Sequence, residues 1–217
     1  MKKLGIIFDM DGVLVDSEPV IKMAAIKGLA QYGVHAKPED FEPFVGAGED
    51  RFIGGVAEAY HTPYVPEMKK LVYQIYGELV DKHLKIYDGV PEMLIRLSEK
   101  GYKLALASSA DMIKVKANLQ TAGISFDLFQ VVLTGEDVVR KKPAPDIFIK
   151  AGERLGLSSQ DCWVVEDAVN GLKAAKAAEM HCIGITSSFN RNRLEAENPD
   201  YVFDNTLDIE AIFDKMM

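Results

Sequence analysis

The sequence predicts an α/β protein in which helices cover both faces of a parallel β-sheet and a second, all-α unit is inserted into the chain. Short apolar runs alternate with amphipathic helical segments, which is typical of such a sheet. The 217 residues, of which 48% are hydrophobic, suffice for one large core and a smaller unit. The chain between the first two predicted strands is much longer than one crossover helix requires, and this excess predicts the insertion.

The predicted strands are short apolar runs that end at turn-forming or polar residues. They comprise residues 4–8, 103–107, 131–133, 163–165, 182–185 and 201–203. Apolar side chains recur at helical spacing between these runs, which predicts helices over residues 90–100, 112–122, 146–155, 168–178 and 207–215. Gly89 and Pro91 mark the start of the first helix, and Pro145 marks the start of the third.

Residues 16–86 are predicted to form the inserted helical cap, and residues 1–15 together with 87–217 to form the core. Apolar side chains recur at helical spacing in four cap segments, namely residues 19–32, 38–45, 50–60 and 66–84. We expect the cap to close over the core about hinges near residues 16–18 and 85–88.

Polar side chains follow the first four predicted strands, counting the first apolar run as one of them. These are Asp9 and Asp11 after the first strand, Ser108 and Ser109 after the second, Lys142 beyond the third, and Glu166 and Asp167 after the fourth. In an open α/β sheet, ligands bind at the carboxyl ends of the strands. The sequence therefore predicts that these side chains converge on one site.

The two carboxylates Asp9 and Asp11 indicate what this site binds. Two like charges held close together repel each other unless a cation or a shared proton lies between them. A divalent metal ion and a phosphate would satisfy this arrangement. Three alternatives stay open: the aspartates form turns or cap a helix, Ser108 and Ser109 cap the following helix, and Lys142 forms a solvated basic pair with Lys141.

Composition excludes several other classes of protein. The chain has 25 basic and 33 acidic side chains and a net charge of −8, with no dense basic block, so a nucleic acid is not an expected partner. No apolar run approaches the length of a membrane span, and the run over residues 4–8 is too short for a signal peptide. Cys162 and Cys182 lie in apolar strand-like runs, which favours reduced thiols. We expect a cytoplasmic monomer.

Four segments of the chain carry a family resemblance. DMDGVLVDSE, ALASSA, KKPAPDIF and VVEDAVNGLKAA resemble the four motifs of the haloacid dehalogenase superfamily, in its β-phosphoglucomutase-like branch with a helical cap. The resemblance covers essentially the whole chain. It implies a Rossmann-like, doubly wound parallel sheet that carries an inserted all-α cap, and an enzyme that transfers phosphoryl groups.

The resemblance also implies a role for each residue that matches a motif. Asp9 would be the nucleophile and Asp11 the general acid and base, while Ser108 and Lys142 would hold the phosphate. The implied Mg²⁺ site comprises Asp9, Asp11 through a nearby backbone carbonyl, Glu166 and Asp167. Hard oxygen ligands of this kind are those that Mg²⁺ prefers. Glu166 is alternatively a residue that orients the ligands rather than a ligand itself.

The cap segment VGAGEDRF is expected to contact the substrate. Gly46 and Gly48 permit close approach of the backbone, and Glu49 and Arg51 supply polar contacts from the cap, with Ser109 facing them from the core. The alternative is that the glycines only separate two cap helices and that Arg51 pairs with a neighbouring acid.

The sequence thus predicts a Mg²⁺-dependent phosphatase that hydrolyses a small phosphorylated metabolite, such as a sugar phosphate, through a phospho-Asp9 intermediate. A hexose-phosphate mutase is the first alternative. Ile21 and Glu49 stand where β-phosphoglucomutases carry a histidine and an arginine, and both differences weaken that reading. A non-catalytic binding or regulatory protein on the same fold is the second alternative.

Overall fold

A computed structural model describes residues 3–216; residues 1, 2 and 217, which the predicted core includes, lie outside the described part. The strands are β1 (Gly5–Phe8), β2 (Val15–Asp16), β3 (Lys85–Ile86), β4 (Lys103–Ala107), β5 (Val131–Leu133), β6 (Cys162–Glu166), β7 (His181–Ile185) and β8 (Tyr201–Phe203). Within residues 3–216, six of them form one sheet in the order β5-β4-β1-β6-β7-β8, and every neighbouring pair is parallel. The predicted α/β fold class is confirmed.

The helices are α1 (Glu18–Ala30), α2 (Glu49–Ala59), α3 (Pro66–His83), α4 (Val90–Glu99), α5 (Met112–Thr121), α6 (Asp146–Leu155), α7 (Val169–Ala177), α8 (Arg191–Glu195) and α9 (Glu210–Phe213). Helices α4, α5 and α9 supply apolar side chains to one face of the sheet, and α6, α7 and α8 supply them to the other. Among the described helices, none combines the length and the apolar character that crossing a membrane requires.

Strand β1 lies at the centre of the sheet, between β4 and β6. Its side chains alternate between the two faces, with Ile6 and Phe8 in one apolar cluster and Ile7 in the other. Such a continuous apolar run fits a parallel strand that is buried on both faces. The chain leaves β1 towards β4 and β5 and later returns to the other side at β6. The carboxyl end of β1 is therefore the switch point at which open α/β sheets bind ligands.

Helices α1, α2 and α3 pack around an apolar cluster of their own, which includes Phe41, Ile53 and Val72. Two short strands connect this helical unit to the sheet. β2 and β3 pair antiparallel, with Val15 opposite Ile86 and Asp16 opposite Lys85. The predicted boundaries at residues 15/16 and 86/87 fall in this ribbon, which brings both connections side by side.

Several segments differ from the sequence prediction, among them β2 and β3, which were not predicted. Residues Pro38–Phe44 form a 3₁₀ helix rather than the predicted α-helical segment, with Pro43 inside it. The last predicted helix begins as a 3₁₀ turn over Thr206–Ile209, and α9 follows it. Helix α8 was not predicted; the side chain of Asn190 caps it by accepting a hydrogen bond from the amide of Arg193 at 3.1 Å.

Candidate active site

Three carboxylates meet at the carboxyl ends of β1 and β6. Asp9 directly follows β1, Glu166 is the last residue of β6, and Asp167 follows it. Because β1 and β6 are parallel neighbours, they deliver these side chains to the same edge of the sheet. Carboxylate oxygens of the three residues lie within 4.8 Å of one another, and all three residues are buried. Asp9 and Asp167 are thus close enough to bind a common cation.

Lys142 is the lysine of the Lys141–Lys142 pair that turns into this cluster. Its Nζ donates to Asp9 Oδ1 at 2.7 Å, to Glu166 Oε1 at 2.7 Å and to the carbonyl oxygen of Ala107 at 3.0 Å. An ammonium group has three protons, so these three acceptors saturate it. Lys141 instead donates to the carbonyl oxygen of Gly135.

Glu166 uses both of its carboxylate oxygens within the protein. Oε1 accepts from Lys142, and Oε2 accepts from the amides of Asp167 and Ala168 at 3.0 and 2.9 Å. Gly171 makes room for this side chain, because a Cβ at that position would lie 1.8 Å from Glu166 Cδ. Both oxygens of Glu166 thus contact Lys142 or the start of α7, and Asp9 and Asp167 lie beside it where they could hold a cation.

The electrostatics of the cluster fit a divalent cation. Burial raises the pKa of Asp9 to about 7, against the opposing attraction of Lys142 and with added repulsion from Glu166. Burial likewise raises the pKa of Asp167 well above its usual range, and Glu166 and Asp9 add to the effect. Three carboxylates face a single ammonium group here, so a divalent cation would balance the charge. Hard oxygen donors in this number suit Mg²⁺.

Asp11 lies at the other end of the site and faces the cap. Its Oδ1 accepts from the Ser17 hydroxyl and, at 3.3 Å, from Asn118 Nδ2, and it lies 3.0 Å from Lys114 Nζ. The backbone turns at Gly12, whose φ is +81° and whose Cβ would lie 1.9 Å from Asp167 Oδ2. Within residues 3–216 the carboxylate cluster does not include the Asp11 side chain, so only the backbone of Asp11 stays available for the predicted metal site.

The two serines after β4 occupy different environments. Ser108 is fully buried, and its Oγ accepts a hydrogen bond from the amide of Ala110 at 3.1 Å. Ser109 lines the cavity between core and cap. The oxygen of Ser108 thus accepts a turn-forming hydrogen bond, which is the alternative role that its position before α5 suggested, and its O–H group can still donate to a phosphate as predicted.

The cap contributes Gly46, Gly48 and Glu49 to the lining of this cavity, which has a volume of about 130 Å³. Arg51 is not among the described residues that line it, and its contact with Glu58 matches the alternative that it pairs with a neighbouring acid. Its side chain is 63% exposed, lies 3.6 Å from Glu58 and stacks over the ring of Phe44. In the first turn of α2, the side chain of Glu49 points towards the core, and that of Arg51 points to solvent.

Sequence reasoning missed the residues that join Asp11 to the cap. Lys114 of α5 is 4% exposed and lies 3.2 Å from Glu49 Oε1 as well as beside Asp11. One turn further along α5, Asn118 is fully buried and accepts a hydrogen bond from the hydroxyl of Tyr76. Lys114 and Asn118 are four residues apart and alternate with apolar neighbours, so a polar pair on the buried side of a helix was the available signal.

Comparison with known proteins places the chain in a family. Residues 6–185 match the model of the family described as haloacid dehalogenase-like hydrolase. The chain belongs to this family. The motif resemblance found in the sequence is thereby confirmed.

Two curated relatives differ in how much of their length the chain covers. It is 31% identical over 212 residues to the phosphoglycolate phosphatase of Yersinia pestis, covering 94% of this chain and 90% of that protein. It is 38% identical over 211 residues to Protein SUPPRESSOR OF QUENCHING 1, chloroplastic, of Arabidopsis thaliana. That match covers 94% of this chain but only 20% of the plant protein, so the chain spans about a fifth of that relative.

Solved structures of the family superpose on nearly the whole chain. A predicted phosphoglycolate phosphatase from Haemophilus somnus 129pt has a TM-score of 0.85 and 26% identity, and covers 98% of this chain and 99% of its own. A β-phosphoglucomutase from Clostridium difficile has a TM-score of 0.85 and 25% identity, and covers 99% and 97%.

Proposed function

We propose that this protein is a Mg²⁺-dependent phosphatase that hydrolyses a small phosphorylated metabolite through a phospho-Asp9 intermediate. The observation that carries the proposal is the meeting of Asp9, Lys142 and Asp167 at the switch point of the sheet, with Asp11 on the far side of the same cavity. The phosphoglycolate phosphatase relative supports a monoester substrate.

In the first half-reaction, a carboxylate oxygen of Asp9 attacks phosphorus and the bond from phosphorus to the ester oxygen breaks. Asp11 gives its proton to the departing oxygen, so that the product leaves as an alcohol. Ser17, Asn118 and Lys114 all contact Oδ1 of Asp11. We therefore assign proton transfer to Oδ2.

In the second half-reaction, water attacks the phosphorus of phospho-Asp9 and gives a proton to Asp11. The bond from phosphorus to Asp9 then breaks, which releases inorganic phosphate and restores both aspartates to their starting states. Asp11 thus acts first as an acid and then as a base, and the two proton transfers balance.

Asp9 and Asp167 would hold Mg²⁺, together with a backbone carbonyl near Asp11. When bound, the ion neutralises the negative charge of the phosphoryl oxygens and of the attacking carboxylate. Lys142 adds a fixed positive charge beside Asp9, and Glu166 keeps that ammonium group in position.

A hexose-phosphate mutase remains the first alternative, since a β-phosphoglucomutase is among the structures with the same fold. A mutase has to grip a bisphosphate in two orientations, which calls for a cation at the cap end of the cavity. Arg51 lies outside the cavity, and Lys114 already contacts Asp11 and Glu49. This arrangement favours water as the acceptor.

Phosphate release tests the proposal. The purified chain is assayed with an aryl phosphate and with a panel of metabolite monoesters, in Mg²⁺ and in a chelator. We expect phosphate release that requires the metal. No release from any ester in Mg²⁺ would contradict the proposal and favour a binding protein, whereas interconversion of hexose phosphates primed by a bisphosphate, with little free phosphate, would identify a mutase.

We infer in addition that the protein acts as a monomer in a reducing compartment, the cytoplasm. Cys162 and Cys182 are both buried free thiols, and burial raises the pKa of each to about 11. Such thiols are packed as small apolar side chains. Size-exclusion chromatography with light scattering tests the oligomeric state.

A further inference from the structure

Glu49, which lines the cavity, has one carboxylate oxygen that accepts no hydrogen bond from the other residues that the structure describes. Glu49 lines the cavity from the first turn of α2 and is only 8% exposed. Its Oε1 lies 3.2 Å from Lys114 Nζ, but the buried Oε2 accepts a hydrogen bond from no other described residue. A buried charged acceptor without a donor costs free energy, so an oxygen left in this state points to a donor that arrives with a ligand.

When Asp11 carries the proton that it gives to the leaving group, the ammonium of Lys114 balances the charge of Glu49, and this determines the kind of donor that fits. Lys114 lies within ion-pair distance of Glu49, and burial raises the pKa of Glu49 while Lys114 opposes that rise. Attraction by Asp11 and Glu49 keeps the pKa of Lys114 raised in spite of its burial. Oε2 therefore needs a hydrogen bond rather than a further positive charge, and a neutral hydroxyl supplies one.

The cap end of the cavity also disfavours a second anion on the substrate. Among the described lining residues the cations are Lys114 and Lys142, and each already contacts two carboxylates. Arg51, the nearest cation of the cap loop, points to solvent. A carboxylate or second phosphate would meet Glu49 without a free cation to compensate it.

We propose that Glu49, held by Lys114, binds a hydroxyl group of the substrate's leaving group and so selects hydroxylated phosphate monoesters over those that carry a second anion. The inference rests on the proposed phosphatase function. The hydroxyl donates to Oε2 and takes the place of the missing partner. Glu49 is thereby a specificity-determining residue.

The position of Glu49 relative to the chemistry supports this role. Asp11, which protonates the ester oxygen, and Glu49 contact the same ammonium group, at 3.0 and 3.2 Å. The two oxygens that contact it, Asp11 Oδ1 and Glu49 Oε1, are therefore no more than two hydrogen-bond lengths apart, and Asp11 Oδ2 and Glu49 Oε2 are the other oxygens of the same two carboxylates. A short polyol phosphate with a hydroxyl two carbons from the ester oxygen, together with a hydrogen bond at each end, suits this separation.

Four esters of nearly equal size test the proposal. They are 2-hydroxyethyl phosphate, propyl phosphate, phosphoglycolate and phosphoethanolamine, which end in a hydroxyl, a methyl, a carboxylate and an ammonium group. We expect kcat/KM for the hydroxyl ester to exceed that of each of the others by about tenfold or more, because the hydroxyl alone supplies a donor without adding charge. Inhibition of aryl phosphate hydrolysis gives the ranking for esters that turn over slowly.

Variants of Glu49 test whether this residue causes the preference for the hydroxyl ester. Glu49→Gln should lower the ratio of hydroxyl ester to phosphoglycolate by about tenfold, because it removes the repelling charge. Glu49→Asp keeps the charge but shortens the reach, so discrimination against phosphoglycolate should persist while the gain from the hydroxyl is lost. Glu58→Gln is the matched control on the same helix, where Glu58 is exposed, and its ratios should equal those of the wild type.

Each outcome is decisive. Equal rates for the four esters, or a preference of the wild type for phosphoglycolate or phosphoethanolamine, would overturn the inference even if Glu49→Gln does not fold, and the phosphatase proposal would stand. A hydroxyl preference that Glu49→Gln or Glu49→Asp retains in full would overturn it as well. Absence of turnover with every ester, the aryl phosphate included, would contradict the phosphatase proposal itself.

Discussion

The two ends of the cavity each contain a buried lysine, and the two lysines differ in what they connect. At the phosphate end, formed by Asp9, Lys142, Glu166 and Asp167, all partners of Lys142 belong to the core. At the cap end, formed by Asp11, Lys114, Asn118 and Glu49, the ammonium of Lys114 joins a core carboxylate to one of the cap. The phosphate end is complete within the core, whereas the cap end depends on where the cap lies.

This difference separates chemistry from selectivity. Groups that attack and hold a phosphate have to be positioned before the substrate arrives, and a saturated cluster on a rigid sheet provides that. Groups that recognise the leaving group have to be able to change during evolution when the substrate changes. They also have to close around the substrate that binds. An interface between two units, with one acceptor left unpartnered, meets that need.

The largest expected effect is at the phosphate end. Asp9→Asn removes the nucleophilic carboxylate, and kcat for phosphate release should fall by roughly a thousandfold or more. Stopped assays of inorganic phosphate measure it. Asp127→Asn, an exposed aspartate in a 3₁₀ turn far along the chain, is the control and should keep wild-type kcat. An Asp9→Asn variant with a rate close to wild type would refute the nucleophile assignment.

Lys142 and Lys114 should differ in how much each contributes to the free energy of unfolding. Lys142→Met leaves Asp9 and Glu166 buried without their cation, and should lower the free energy of unfolding by about 3–5 kcal/mol. Lys114→Met should lower it less, by about 1–3 kcal/mol, because the Asp11 side chain is 30% exposed and a shift of the cap returns water to Glu49. Urea unfolding measures both.

Lys116→Met, on the exposed side of the same helix as Lys114, is the control for both lysine variants and should change the free energy of unfolding by less than about 0.5 kcal/mol. Equal losses for Lys142→Met and Lys114→Met would contradict the view that the cap end can relax.

The next effect concerns pH and metal binding at the phosphate end. Asp9 has a pKa of about 7 in the folded chain without metal and 3.8 as its ordinary value. Between these values the folded state binds more protons than the unfolded state, so the contribution of Asp9 to stability falls as pH rises from about 4 to about 7. A cation competes with those protons. Mg²⁺ should therefore stabilise the protein more at about pH 8 than at about pH 5.

At a hundredfold excess over its Kd, Mg²⁺ should add roughly 2–3 kcal/mol at the higher pH. Thermal unfolding with Mg²⁺ or with Na⁺ at equal ionic strength measures the difference. Asp167→Asn should abolish the gain. A stabilisation by Mg²⁺ that is larger at low pH would contradict the proposed ligands.

The sequence predicts the phosphate end far better than the cap end. Asp9 and Asp167 directly follow apolar strands and Glu166 ends one, and the parallel sheet brings strand ends together whatever the loop conformation. Lys142 lies in the loop beyond β5. Strand ends are visible in the sequence because apolar runs stop there. The fold class and the strands around β1 follow from the same periodicity.

The cap end is harder to predict because its contacts join residues that no local pattern relates. Whether Glu49 or Arg51 faces the cavity depends on the rotation of α2 against the core, and two residues along a helix point in very different directions. Lys114 lies 65 residues from Glu49 in the chain. Its role depends on how the cap packs over α5, which periodicity does not specify.

The smallest effect tests the link between cap and core away from Glu49. The Tyr76 hydroxyl donates to Asn118 Oδ1, and Tyr76→Phe leaves that buried oxygen without a donor. We expect a loss of about 1 kcal/mol in unfolding free energy with kcat for the aryl phosphate within a few-fold of wild type, because the ring and the phosphate end are unchanged. Tyr60→Phe, whose exposed hydroxyl donates to Asp40, is the control and should lose less. If Tyr76→Phe lowers kcat as strongly as a change at Asp9, the two ends of the cavity are not separable, and the division between chemistry in the core and selectivity at the cap fails.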